Sequence, residues 1–256
     1  MSYALVIAEK PSVGAAIAAA LGVSGKKDGY IEGNGYVISW CVGHLVELAQ
    51  AAAYGEQYRK WQLDSLPILP QEWQYTVSAD KGKQFKTLKE LMHRADVTEV
   101  VNACDAGREG ELIFRFVYDM TGCKKPMRRL WISSMETAAI RQGFDSLKDG
   151  SEYEALYASA LCRAKADWLI GINATRLFSC LYGKTLNVGR VQTPTLKMLV
   201  DQDAAISHFQ KEKYYHVRLD LSGAEAASAK ISDAAEADAL KTACEASQAV
   251  CTSVVR

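Results

Sequence analysis

Two short stretches hold side chains whose types and spacing suit phosphoryl chemistry: Glu9-Lys10 and Asp105-Ala-Gly-Arg-Glu-Gly-Glu111. Carboxylates gathered on one edge repel each other unless a hard cation lies between them. Mg2+ takes such oxygen donors, keeps several waters, and usually bridges one or two carboxylates to a substrate phosphate. Glu9 and Asp105 are therefore the candidate metal ligands. Gly107 and Gly110 let backbone approach a phosphate closely, and Arg108 offers it a two-pronged grip. Each motif alone is weak. Glu9-Lys10 also reads as a surface ion pair, and Gly107-x-x-Gly110 is neither a Walker loop nor a dinucleotide fingerprint. Found together at the ends of two strands, they point to metal-assisted phosphoryl transfer.

The surrounding elements must bring them to one place. Residues 3–8 form a short apolar run suited to a buried parallel strand, and Pro11 opens a helix whose apolar repeat stops at Gly22. Further strands are expected at 36–42, 99–104 and 129–132, and helices at 84–94, 112–120 and 136–147. Residues 54–74, with Pro67 and Pro70, read as an irregular loop. This alternation predicts an α/β fold: a mostly parallel sheet with helices on both faces. Ligands bind such sheets beyond the carboxyl ends of the strands, where both motifs fall. After Gly150 the pattern becomes helical over 153–181 and 190–209, with Pro194 in the second helix's first turn. A strand at 213–221 follows, then a helix at 233–246 capped by Ser232, and Val254-Val255-Arg256 reads as mid-strand.

Composition excludes several classes. With 49% hydrophobic and 23% charged residues the 256-residue chain reads as globular, and its zero net charge argues neither for nor against nucleic acid. No stretch reaches the roughly 20 apolar residues needed to span a bilayer, and the start lacks a signal peptide's basic region. The seven cysteines are odd in number and unpaired by C-x-x-C spacing, which suggests reduced thiols in a cytoplasmic protein and no zinc site. Two basic runs, Lys81/Lys83/Lys86/Lys89 and Lys124/Lys125/Arg128/Arg129, read as solvated surface, with phosphate contact as the alternative.

Ile7-Ala-Glu-Lys-Pro-Ser12 and Asp105–Glu111 resemble the Toprim domain shared by topoisomerases, bacterial primases and some nucleases, in the form seen in type IA topoisomerases, where D-x-D-R-E-G-E is common. Here Gly107 stands where the second aspartate is expected, leaving Glu9 and Asp105 as the implied metal carboxylates, Glu109 as a third or supporting group, and a second Mg2+ without its ligand. Arg129–Ser134, Ala166–Arg176, Asn187–Pro194, His44-Leu45 and Leu66–Pro70 are similar to segments of the topoisomerase III kind, so the resemblance runs from about residue 4 to 215. It implies a Toprim metal-binding domain over 1–150, a helical DNA-binding domain over 151–212, and the start of a β-containing arch over 213–256.

The resemblance also implies an activity. A tyrosine attacks one DNA strand, leaving a 5′-phosphotyrosyl bond that stores the bond energy, so no ATP is needed. Glu9 would act as general acid and base at the 3′ oxygen, and Lys10 would stabilise phosphate charge. The nucleophile belongs to a Y-P-R-T-like segment, and none of the twelve tyrosines stands in one. The expectation is a truncated, inactive fragment. Single-stranded DNA is the expected partner of a monomer. It would meet Gly189-Arg190 at a helix start, with Asn187, Val188, Val191 and Gln192 alongside, and Arg163 and Arg176 on the long helix. Trp61 and Trp168 read either as base-stacking platforms or as buried rings. Two rival readings remain: a Toprim nuclease or primase, which needs no tyrosine, and a non-catalytic DNA-binding module.

Overall fold

The apolar run at the N-terminus becomes β1 (Tyr3–Ala8), whose last four residues are buried. Lys10 is still extended, and Pro11 sits at the first position of α1 (Pro11–Ala20), where its missing N–H costs nothing. The computed structural model describes residues 2–221, 223–248 and 250. The chain divides into two compact units, Met1–Pro194 and Thr195–Arg256.

In the first unit the strands after α1 are β2 (Gly25–Lys27), β3 (Tyr30–Gly33), β4 (Tyr36–Trp40), β5 (Val46–Leu48) and β6 (Tyr75–Val77). Then come α2 (Gly82–His93), β7 (Val97–Ala103), α3 (Arg108–Thr121), β8 (Met127–Arg129), α4 (Thr137–Asp145), β9 (Lys148–Asp149) and α5 (Glu154–Tyr182). The seven-stranded sheet has the order β2-β3-β4-β1-β7-β8-β9. Its centre, β4-β1-β7-β8, is parallel as expected. The flanks are antiparallel, so the sheet is mixed. Sequence reasoning passed over β2 and β3, although Asp28-Gly29 and Asn34-Gly35 each form a two-residue hairpin loop. Asn34 and Gly35 both take positive φ (48° and 79°), the geometry that matches strand twist.

Alternation along the strands divides the core. Leu5 and Ile7 join Val37, Val100, Leu88, Met92, Leu112 and Ala160 on the face covered by α2, α3 and α5. Val6 and Ala8 join Ile38, Val101, Ala103, Ile17 and Ile140 on the face covered by α1 and α4. Helices thus cover both faces, and the strand ends stay open. The 54–74 region is irregular as expected, around short 3-10 turns at Glu56–Tyr58 and Leu63–Ser65. It is pinned to α5 by Asn173, whose side chain accepts from Ile68 N (2.6 Å) and donates to Ile68 O (3.0 Å). The pairing of β5 with β6 was not foreseen.

α6 (Gln192–Ser207) begins at the end of the first unit and continues into the second. The second unit adds a hairpin, β10 (Arg218–Leu221) and β11 (Ala224–Ala227), then α7 (Ala234–Glu245). The strand expected over 213–221 is shorter, preceded by a single bridge from Tyr215 to Ile231. The cap of α7 is Asp233 rather than Ser232: its carboxylate accepts from Glu236 N at 2.9 Å, and Ser232 sits one residue too early. The mid-strand reading of residues 254–256 lies outside the described residues. Among the described residues no helix is long and apolar enough to cross a membrane.

Candidate active site

β1 and β7 are parallel neighbours in register Ala8↔Ala103, so Glu9 and Asp105 leave adjacent strands at the same edge. The exit of β4 folds over that edge: Cys41 N donates to Ala8 O (2.8 Å) and Gly43 N to Glu9 O (3.0 Å). Glu9 is only 12% exposed, and Lys10 Nζ lies 3.5 Å from its Oε1. Asp105 is exposed, as are Arg108 and Glu109 in the first turn of α3. Glu109 reaches away to His44, with Oε2 3.7 Å from Nε2. Among the described residues no three His, Cys, Asp or Glu side chains form a metal cage. The expected trio of Glu9, Asp105 and Glu109 is therefore not assembled as a cluster. Two carboxylates on one edge still match the way Mg2+ is held, with substrate phosphate and water completing its shell. Hydrogen bonding with Cys41, then burial, push the Cys104 thiol well above its usual range. The donor chemistry fits a hard divalent ion.

A buried ionic network supports this edge. Glu111 and Arg129 are each 1% exposed, with Arg129 Nε 3.1 Å from Glu111 Oε2. Glu111 also accepts from Asn102 Nδ2 (2.9 Å) and Arg115 Nε (2.9 Å). Arg115 continues to Glu154 (2.7 Å) and to Gly150 O (2.9 Å), tying α3 to the start of α5. Burial pulls the Arg129 guanidinium below its ordinary value, while Glu111 holds it up. The second basic run is therefore not a solvated patch. Arg129 is buried, Arg128 donates to Leu147 O (2.7 Å), and Lys125 donates to Arg94 O.

The proposed DNA-contacting residues gather elsewhere in the same unit. Trp61, Asp167, Trp168, Arg176, Asn187 and Val188 line a cavity of about 430 Å3. Trp61 is 44% exposed. The guanidinium of Arg176 lies 5.5 Å from the centre of the Trp61 ring. Arg176 itself is buried and donates to Tyr58 O (2.7 Å). Trp168 is half-buried, donates Nε1 to Ala49 O (2.9 Å), and packs edge-on against Tyr54 and Trp73. Arg190 pairs with Asp167, which also faces Arg163 at 3.8 Å. The Arg190 hydrogen bond holds Asp167 below the usual carboxylate range. Thr175 Oγ1 accepts from Val188 N (2.9 Å), and Thr193 Oγ1 from Gly189 N (3.0 Å), which fastens the 187–190 segment. The helix starts at Gln192, two residues later than Arg190, and Val191 and Gln192 are exposed.

A family model described as the Toprim domain matches residues 4–135, more than half of the chain. The chain belongs to the Toprim family. A second family model, described as DNA topoisomerase, matches residues 151–256. The chain is 48% identical over 219 residues to DNA topoisomerase 3 of Staphylococcus haemolyticus and 46% identical over 223 residues to that of Bacillus subtilis. These matches take in 86% and 87% of this chain but only 31% of each relative. The fold is shared with full-length topoisomerase I from Thermotoga maritima, at TM-score 0.60 and 22% identity, over 92% of this chain and 37% of that one. The resemblance read from the motifs, to type IA enzymes of the topoisomerase III kind, holds. Within the Toprim match, the motifs gave Glu111 no role of its own, and Arg129 read as part of a solvated basic run. A charge within an apolar strand–helix unit was the available signal, since such charges must be paired to be buried.

Proposed function

We propose that this chain is the N-terminal part of a Mg2+-dependent, ATP-independent type IA DNA topoisomerase that cuts and rejoins single-stranded DNA through a 5′-phosphotyrosine. The observation that carries this reading is the β1/β7 register, which delivers Glu9 and Asp105 to neighbouring strand ends at an open sheet edge. The DNA topoisomerase match over 151–256 favours it over a nuclease or primase. Toprim would occupy 1–150, helical DNA-binding elements 151–212, and the start of an arch 213–256.

Glu9, shielded beside Lys10, would give a proton to the leaving 3′ oxygen and take it back on rejoining. Lys10 and Arg108 would counter phosphate charge. Glu9 and Asp105 would hold Mg2+, with Glu109 close by. The ion, when bound, would neutralise phosphate oxygens and keep the 3′ strand in place for resealing. Trp61 would stack on a base beside Arg176, with Trp168 forming the cavity wall. Arg163, Asn187, Val188, Gly189, Arg190, Val191 and Gln192 would follow the strand. Arg190 would exchange Asp167 for a phosphate. The protein would work as a cytoplasmic monomer, with the nucleophilic tyrosine supplied from outside these 256 residues.

The purified chain should bind a fluorescent single-stranded oligonucleotide more tightly with Mg2+ present and leave supercoiled plasmid unrelaxed. Cleavage or primer synthesis by the chain alone would establish a nuclease or primase instead. An unchanged Mg2+ effect in Asp105→Asn would remove the metal reading.

A further inference from the structure

Arg129 closes β8 with its guanidinium buried beneath the catalytic edge. Nη1 donates to Cys104 O (2.7 Å), Leu130 O (2.8 Å) and Asn102 O (3.1 Å), and Nη2 donates to Asp105 O (2.7 Å). The Trp131 ring lies 5.0 Å from the guanidinium carbon. Two of these bonds have a particular geometric effect. The carbonyls of Cys104 and Asp105 belong to the peptide planes on either side of the Asp105 Cα. Holding both planes to one rigid guanidinium fixes φ and ψ of Asp105, and with them the direction in which its side chain leaves the backbone.

Stability alone does not call for a charge at this position. Burying an ion pair is commonly no better than packing apolar groups of the same volume. A planar fork with several fixed donors holds two successive carbonyls in one set geometry, whereas the three donors of an ammonium rotate on a flexible stem. The strand end needs this, because β7 stops at Ala103 and the carbonyls beyond it have left the ladder.

We propose that Arg129 is the positioning residue for Asp105, presetting its carboxylate for a divalent ion before the ion arrives. This rests on the reading that Asp105 is a metal ligand. Arg115 provides the comparison. It is buried in the same network and bonded to Glu111, Glu154 and Gly150 O, but it makes no bond to residues 104 or 105.

The test is Mn2+ titration calorimetry on the 256-residue chain. Loss of groups that orient metal ligands typically weakens metal affinity by about 10–100-fold, so Arg129→Lys should weaken Mn2+ by at least about 10-fold. Arg115→Lys should stay within about twofold of wild type, and Asp105→Asn should lose binding. If Asp105→Asn loses Mn2+ while Arg129→Lys keeps wild-type affinity, the positioning role is wrong and the metal reading stands. Equal weakening in Arg115→Lys and Arg129→Lys also overturns it, since general loosening of the network would then suffice. Wild-type binding by Asp105→Asn overturns both. Should Arg129→Lys not fold, the unaltered chain decides: the Arg129 side-chain NMR signals should shift with Mg2+ at the same midpoint as the calorimetric binding, and no shift refutes the proposal.

Discussion

Gly110→Ala sets helix propensity against tertiary packing, and the two predict opposite signs. Gly110 lies in the first turn of α3, where alanine is intrinsically better than glycine by about 1 kcal/mol. A Cβ at this position would stand 2.2 Å from Asp105 O, 2.8 Å from Asp105 N and 3.0 Å from Asp105 C. All three are backbone atoms, and the carbonyl also accepts from Arg129 at 2.7 Å. The oxygen must retreat by about 1 Å, and overpacking of this kind costs about 1–3 kcal/mol. Strain against a carbonyl already held by Arg129 belongs at the upper end, so the net effect is a loss of about 1–2 kcal/mol. For a unit of this size that is a fall of about 2–8 °C in Tm. Gly107, three residues earlier, is the control: its φ of 174° is extended and a Cβ would meet nothing within 4 Å. Gly107→Ala should melt within about 2 °C of wild type. Thermal denaturation followed by circular dichroism compares the two. A Gly110→Ala protein as stable as wild type, or two variants that melt alike, would refute the close approach of α3 to the Asp105 backbone.

Three further outcomes are expected. Glu111→Gln leaves two buried guanidinium groups, Arg115 and Arg129, without their shared carboxylate and should lose about 3–5 kcal/mol in urea denaturation; a loss under about 1 kcal/mol would mean the network is solvated. Gly107→Asp places a carboxylate in open space two residues after Asp105 and should tighten Mn2+ binding in calorimetry, whereas unchanged affinity would show that this position does not face the ion. Asp119 still reaches solvent, but partial desolvation raises its pKa against the hydrogen bond that Tyr157 donates to it (3.1 Å), so the effect on stability is small. A carboxyl whose folded pKa is raised favours the fold in its protonated form, so stability is gained as pH falls through the folded value and is fully present below the ordinary value of 3.8. Asp119→Asn should therefore melt slightly above wild type at pH 7, with the gap closing towards pH 4. A gap independent of pH would contradict the burial argument.

Much of the architecture was already readable along the chain. Apolar runs of strand length alternating with amphipathic helices specified an α/β sheet, because side-chain periodicity is a local property. The two motifs at strand ends then located the edge where Glu9 and Asp105 emerge. The hairpin dipeptides Asp28-Gly29 and Asn34-Gly35 were equally legible, and overlooking them hid the antiparallel flank.

Other features have no one-dimensional signature. Lys125, Arg128 and Arg129 look alike as part of a basic run, yet only packing against β7 makes Arg129 a buried clamp on the Asp105 backbone. Gly107 and Gly110 are indistinguishable as letters, and only the approach of α3 to residue 105 makes one replaceable and the other not. From sequence Trp168 could equally face a base or the core; in the fold its indole N–H donates to Ala49 O. Local order thus followed from residue type and spacing, whereas burial, pairing and strand adjacency arose from contacts between residues far apart in sequence.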